Sequence, residues 1–175
     1  MHTVTKAVEV EVPVSVAYNQ WTQFESFPRF MSGVEEVRQI DDATLHFSTK
    51  IAGVKREYDA RITEQVPDTV ISWESLEQPR NAGSVQFDSL GPDRSGVRVT
   101  LEWEPETLTE KAGAALSADE MQVAADLDKF KSFIEDRQQE TGAWRGTVDG
   151  VDIEGGGPVG DHAAEGRTEG GTPTI

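Results

Sequence analysis

Three histidines, His2, His46 and His162, are the side chains in this sequence best suited to general acid–base work at neutral pH, since imidazole changes charge there. Their positions argue against that use. His2 is terminal, His162 lies in a glycine-rich stretch, and His46 falls on the outward face of an alternating strand. Absence of cysteine excludes thiol nucleophiles, thiolate metal sites and disulfides. There is no glycine-rich phosphate loop, nucleotide fingerprint or metal-ligand spacing; Gly155-Gly156-Gly157 precedes no helix pattern. The sequence therefore offers no catalytic constellation, no metal site and no cofactor site. What remains are polar residues whose phase points inward: Thr49, Tyr58, Ser75 and Ser89 on strands, and Asp126 on a helix. If the chain is a catalyst, Tyr58, Ser75 and Asp126 are its candidates for proton transfer. At the helical repeat Asp126 falls between Phe130 and Phe133, where an ionised carboxylate must pair or stay wet. The favoured reading puts it at the rim of the apolar stripe, where it pairs locally or meets solvent. Tyr58 and Trp73 read as core residues first, although a residue in a cavity wall can be both core and contact.

These side chains need elements to position them. The longest is a helix expected over Ser117–Glu140, opened by the S-x-x-E spacing of Ser117 and Glu120. Val123, Leu127, Phe130 and Ile134 recur on one face with Phe133 beside them, and Glu120, Asp128, Lys131, Glu135 and Gln138 take the other. Thr3–Val12 alternates as a first strand, ended by Pro13. Val14, Ala17, Tyr18 and Trp21 then mark a short amphipathic helix. Phe24, Phe27, Pro28, Phe30 and Met31 crowd an irregular segment, where the rings serve as a plug on the core, as ligand lining, or as both. Six further strands follow with turn signals between them. Their inner residues are Leu45, Phe47, Thr49 and Ile51; then Tyr58, Ala60, Ile62 and Val66; then Ile71, Trp73 and Ser75; then Gly83, Val85, Phe87 and Ser89; and last Val97, Val99, Leu101 and Trp103. The first of the six, Val34–Ile40, breaks its alternation and is expected to be bulged. Short connections make these strands an antiparallel meander. Glu106–Leu116 reads as a short lead-in helix. Ten of the sixteen glycines lie from Gly142 onward, so 147–175 is expected to be an acidic disordered tail behind a folded domain of residues 1–146.

The 32 acidic and 16 basic residues give a formal charge of −16, which opposes nucleic acid and anionic membrane surfaces as partners. No apolar run approaches the ~20 residues that span a bilayer. The start MHTVTKAVEVEV lacks a basic stretch followed by an apolar one, so the expected location is cytoplasmic.

Strand, short helices, meander and long C-terminal helix make the helix-grip order, and the sequence resembles a known group. YNQWTQFESFPRFMSGVEEV at 18–37, REYDARITEQVPDTVISWES at 56–75, DLDKFKSFIE at 126–135 and ETGAWRG at 140–146 resemble the polyketide cyclase/dehydrase and coenzyme Q-binding START-like families of the Bet v 1-like (SRPBCC) superfamily. The implied fold is α+β: a seven-stranded antiparallel sheet curved around a long C-terminal helix, with two short helices after the first strand. The resemblance also implies an apolar cavity between sheet and helix, used for lipids, sterols, quinones and polyketides. The expected function is to bind one such hydrophobic small molecule; the alternative is a polyketide aromatase/cyclase or dehydratase working in the same cavity. The expected ligand-binding residues are Trp21, Phe27, Phe30, Met31, Phe47, Tyr58, Trp73, Phe87 and Phe130. Ligand identity and oligomeric state are left open.

Overall fold

The computed structural model describes residues 1–51, 53–104, 113–150 and 152–154. In β1 (His2–Val10) the valines alternate inward, with Val4 and Val10 buried and Glu9 exposed. Pro13 cannot continue the ladder and caps helix α1 (Val14–Trp21), whose Ala17, Tyr18 and Trp21 face the core as their spacing requires. The ring-rich segment is a 3-10 helix, Phe24–Arg29, containing Pro28. Strands β2 (Val34–Asp41), β3 (Thr44–Ile51), β4 (Val54–Val66), β5 (Val70–Ser75), β6 (Asn81–Gly91) and β7 (Arg94–Trp103) then run as an antiparallel meander, with β1 paired to β7. The order β1-β7-β6-β5-β4-β3-β2 is the curved sheet of the helix grip, and two register shifts interrupt the β2–β3 ladder as its broken alternation foretold.

Helix α2 (Gly113–Arg137) packs across this sheet, burying Val123, Leu127, Phe130 and Ile134. It runs in the same sense as β1. Lys6 pairs with Glu120 at 3.5 Å, the Lys131 ammonium donates to the Glu9 carbonyl at 2.9 Å, and the Glu11 N–H donates to Glu135 at 2.8 Å. Such exposed contacts add little stability but set the register of helix on strand. The helix ends where Gln138 takes φ 60° and donates its N–H back to the Ile134 carbonyl at 2.8 Å.

Several expectations need correction. The S-x-x-E pair does not open the long helix: α2 already begins at Gly113, which puts Ser117 inside it, because helical propensity continues upstream through Ala114, Ala115 and Leu116. The lead-in helix expected over Glu106–Leu116 lies largely outside the described residues, its last four positions belonging to α2. Among the described residues the expected seven-stranded path carries a short hairpin besides: β8 (Thr147–Asp149) pairs with β4 at Glu64 and Gln65, and β9 (Asp152–Glu154) pairs with β8. The folded part thus passes Gly146, where a domain end was expected. Buried Val148 anchors the hairpin and Gly150, at φ 67°, turns it; residues 155–175 lie outside the described ones. A bulge between Ile62 and Glu64 moves the inward position from Val66 to Gln65, which is 1% exposed. Ser89, expected inside, is exposed beyond the covered end of β6 and donates to the Gly91 carbonyl at 3.4 Å.

One glycine is required by a close approach. A Cβ at Gly83 would lie 2.3 Å from the Trp73 ring, which therefore rests directly on the β6 backbone. Gly83→Ala should displace that ring and destabilise the fold by about 1–3 kcal/mol. Denaturant melts measure it, and an unchanged midpoint would mean the ring is not seated there.

Candidate functional site

Burial along the inner face of the sheet changes from one end to the other. On β4, Ile62 and Ala60 are 0% exposed but Tyr58 keeps accessible surface; on β7, Val97 and Val99 are 1% exposed while Leu101 and Trp103 are only partly buried. Met31 and Val34 are partly buried too. By strand register these residues share the end of the sheet that carries the start of β1, the β3–β4 hairpin and the β5–β6 connection. The N-terminal half of α2 crosses this end, since Glu120 meets Lys6. Apolar side chains that point inward and still meet solvent thus gather at this end of the sheet, beside the N-terminal half of α2.

The sequence-predicted contacts fall into three groups. Phe47, Tyr58 and Trp73 come together on this inner face as near-parallel rings, with centroids 5.3 Å apart for Phe47–Tyr58 and 5.9 Å for Phe47–Trp73. Trp21, Phe27, Phe30 and Phe130 form a separate cluster with Phe24, every one of them 2% exposed or less, held by crossed rings at 5.2 to 5.9 Å. That cluster is a packed plug between the 3-10 helix and α2. Phe87 stands apart at the closed end, edge-on to Tyr18 at 5.3 Å, and Met31 lies at the rim of the plug.

Of the candidate proton-transfer groups, two are already engaged. Asp126 is not at a wet rim with a local partner: it is 5% exposed and accepts a hydrogen bond at 2.7 Å from the hydroxyl of Ser32, far away in sequence, in the loop after the 3-10 helix. Ser75 braces the β5–β6 connection, accepting from the Asn81 N–H at 2.9 Å and donating to the Glu77 carbonyl at 3.0 Å. Thr49 is buried beside β4, with its hydroxyl 3.5 Å from the Arg56 carbonyl. Tyr58 differs: its hydroxyl has no hydrogen-bond partner among the described residues, and desolvation raises its pKa well above the ordinary phenol value, partly offset by Arg56. Tyr18 is pushed up to about 12 by burial, offset in part by the Gln65 amide and the Arg145 guanidinium. His46 is on the outer face against Asp59 at 2.7 Å, as expected. No group of three or more His, Cys, Asp or Glu converges to hold a metal among the described residues.

These are the only two tyrosines, and both have folded-state pKa values above that of an unfolded chain. Their contribution to stability is intact below the ordinary value of 10.0 and is lost as pH rises past it toward the folded values, because the unfolded chain releases its phenol protons first. Phenolate absorbance should therefore rise only together with alkaline unfolding. A reversible ionisation at the ordinary phenol pH, with the fold intact, would show a hydroxyl in free contact with water.

Sequence reasoning missed the polar seam that joins two of the motif stretches. From α1, the Asn19 amide donates to Glu140 at 2.8 Å, the Gln20 amide donates to the Thr141 hydroxyl at 3.0 Å and accepts the Thr141 N–H at 2.8 Å, and the Thr22 hydroxyl accepts the Trp144 N–H at 3.1 Å. Arg145 donates to the side-chain amide oxygen Oδ1 of Asn19 at 2.7 Å and forks onto both oxygens of Asp68 at 2.9 Å. The signal was present as Asn19-Gln20 set between Tyr18 and Trp21 on a helix too short to leave them dry without partners. The partner of Asp126, a serine in an irregular loop, left no such signal.

The comparisons with known proteins agree with this architecture. The polyketide cyclase/dehydrase and lipid transport family matches residues 10–133. An uncharacterised 17.2 kDa protein of Streptomyces lincolnensis is 47% identical over 149 residues, covering 85% of this chain and 99% of its own. Among solved structures, a START superfamily protein from Mycobacterium smegmatis superposes with a TM-score of 0.60 at 16% identity, covering 78% of this chain and 97% of the other. The Zhui aromatase/cyclase of a Streptomyces species does so at 0.59 and 13% identity, with 78% and 92% covered. At those identities the likeness is one of fold. With a family match across most of the helix grip and a relative sharing nearly half its residues, this chain belongs to the polyketide cyclase/dehydrase and lipid transport family.

Proposed function

We propose that this protein holds a hydrophobic small molecule, of lipid, quinone or polyketide-like class, in the recess between the inner face of the sheet and the N-terminal half of α2. The observation that carries the reading is the change in burial along β4 and β7, from residues at 0–1% exposure to the partly accessible Tyr58, Leu101 and Trp103. Covering those side chains with an apolar ligand removes them from water, at about 25 cal/mol for each Å² buried. No helix among the described residues is long and apolar enough to cross a membrane.

A cyclase reading has one observation in its favour. Tyr58 brings to the same recess a hydroxyl that has no hydrogen-bond partner among the described residues and whose pKa desolvation raises. A neutral phenol can donate a hydrogen bond or a proton to a developing oxyanion, but at ordinary pH it cannot act as a phenolate base. Native mass spectrometry of freshly purified protein, followed by organic extraction, tests the proposal. A mass excess released as an apolar compound supports it; protein found at its bare mass that also refuses every apolar compound added afterwards overturns it. Tyr58→Phe separates the two readings, because a carrier keeps its ligand unchanged whereas a cyclase binds and no longer turns over.

A further inference from the structure

We propose that Tyr58, Phe47 and Trp73 form a stepped aromatic platform that makes the recess selective for planar conjugated rings, aromatic or quinoid, over saturated chains and sterols; the inference rests on the recess being the binding site. The geometry of the three rings sets them apart. Phe47 lies at 16° to Tyr58 and 21° to Trp73, whereas every other ring pair among the described residues is crossed at 45° or more. Crossed edge-to-face contacts are the usual way to fill a core. A near-parallel run at centroid distances of 5.3 and 5.9 Å is offset, so each ring covers only part of its neighbour and the set climbs like a stair.

Two features fix the stair and leave one end of it open. Gly83 lets the Trp73 ring lie flat on β6, since a Cβ there would come within 2.3 Å of it; any other residue would tilt the lowest step. Phe47 at 2% and Trp73 at 5% exposure are covered, whereas Tyr58 keeps accessible surface, so the run ends in a ring that can accept another. A saturated chain placed there gains only the burial of its area. A flat ring gains that burial and the stacking energy as well, and a ring carrying a carbonyl can accept the hydrogen bond that the Tyr58 hydroxyl makes to no described residue.

The test compares a methylnaphthoquinone with palmitate, each titrated into protein freed of bound compounds by organic extraction and refolding. Tyr58→Leu should weaken the quinone about 3- to 10-fold while changing palmitate less than about twofold. The extracted protein should also induce circular dichroism in the quinone's own absorption band, and Tyr58→Leu should abolish that signal. Tyr58→Phe keeps the ring and should keep both the signal and most of the affinity, which guards against a Tyr58→Leu chain that folds poorly; Leu90→Ser, at an exposed position of β6 outside the site, should change neither. Equal weakening of both compounds by Tyr58→Leu, or palmitate binding as tightly as the quinone with no induced signal, overturns the platform and leaves the recess standing. If neither compound binds the unsubstituted protein, the recess fails and the platform with it.

Discussion

Phe130→Ala should cost about 3–5 kcal/mol of stability, through lost burial and the cavity left behind. Phe130 is 0% exposed and its ring stands 5.2 Å from both Trp21 and Phe30, so it joins the long helix to the ring cluster of the 3-10 segment. Neither neighbour can relax into the space, because each is itself packed against Phe27. Denaturant melts read the loss directly; a change under about 1 kcal/mol would mean that the plug is soft and that the helix is anchored elsewhere.

Gln20→Ala should cost about 2–4 kcal/mol by a different route, since it leaves partners unsatisfied rather than creating a void. Gln20 is 0% exposed, accepts the Thr141 N–H at 2.8 Å, and donates to the hydroxyls of Thr141 at 3.0 Å and Ser26 at 3.1 Å. Its loss unpins the segment that carries Trp144, Arg145 and β8. Hydrogen exchange should therefore speed up at Thr141 and Trp144 more than in the central strands, in addition to the fall in the melting midpoint. Protection at Thr141 that survives the substitution would show that the seam is held by Arg145 and Asn19 alone.

Both residues illustrate what a single sequence reveals. Phe130 was legible because helical spacing repeats it with Val123, Leu127 and Ile134, and burial follows period. The meander was legible for the same reason at period two, with turns marked by Asp41-Asp42, Pro67-Asp68 and Gly91-Pro92-Asp93. Gln65 was not, because a bulge adds a residue to one strand and reverses the alternation without any compositional mark. The hairpin of β8 and β9 was missed since three-residue strands are too short to show a period, and Val148 gained its cover only from distant elements. For Phe30 the irregular surroundings leave plug and ligand lining equally open in the sequence. The 3-10 helix makes that segment regular enough to bury the ring at 1% exposure. At the site, alternation correctly pointed Phe47, Tyr58 and Trp73 inward together, but which inward residues remain accessible depends on where α2 crosses the sheet. That is a matter of tertiary packing, not of local pattern.

The central claim is that the recess beside Tyr58 takes an apolar guest. A titration of the extracted, refolded protein with an environment-sensitive apolar fluorophore, followed by displacement with decanoate and with a methylnaphthoquinone, tests it most directly. The account predicts saturable binding of one fluorophore per chain, displaced by at least one of the two compounds and weakened by Leu101→Arg at the mouth of the recess. Fluorescence that never saturates, or binding indifferent to Leu101→Arg, would contradict it.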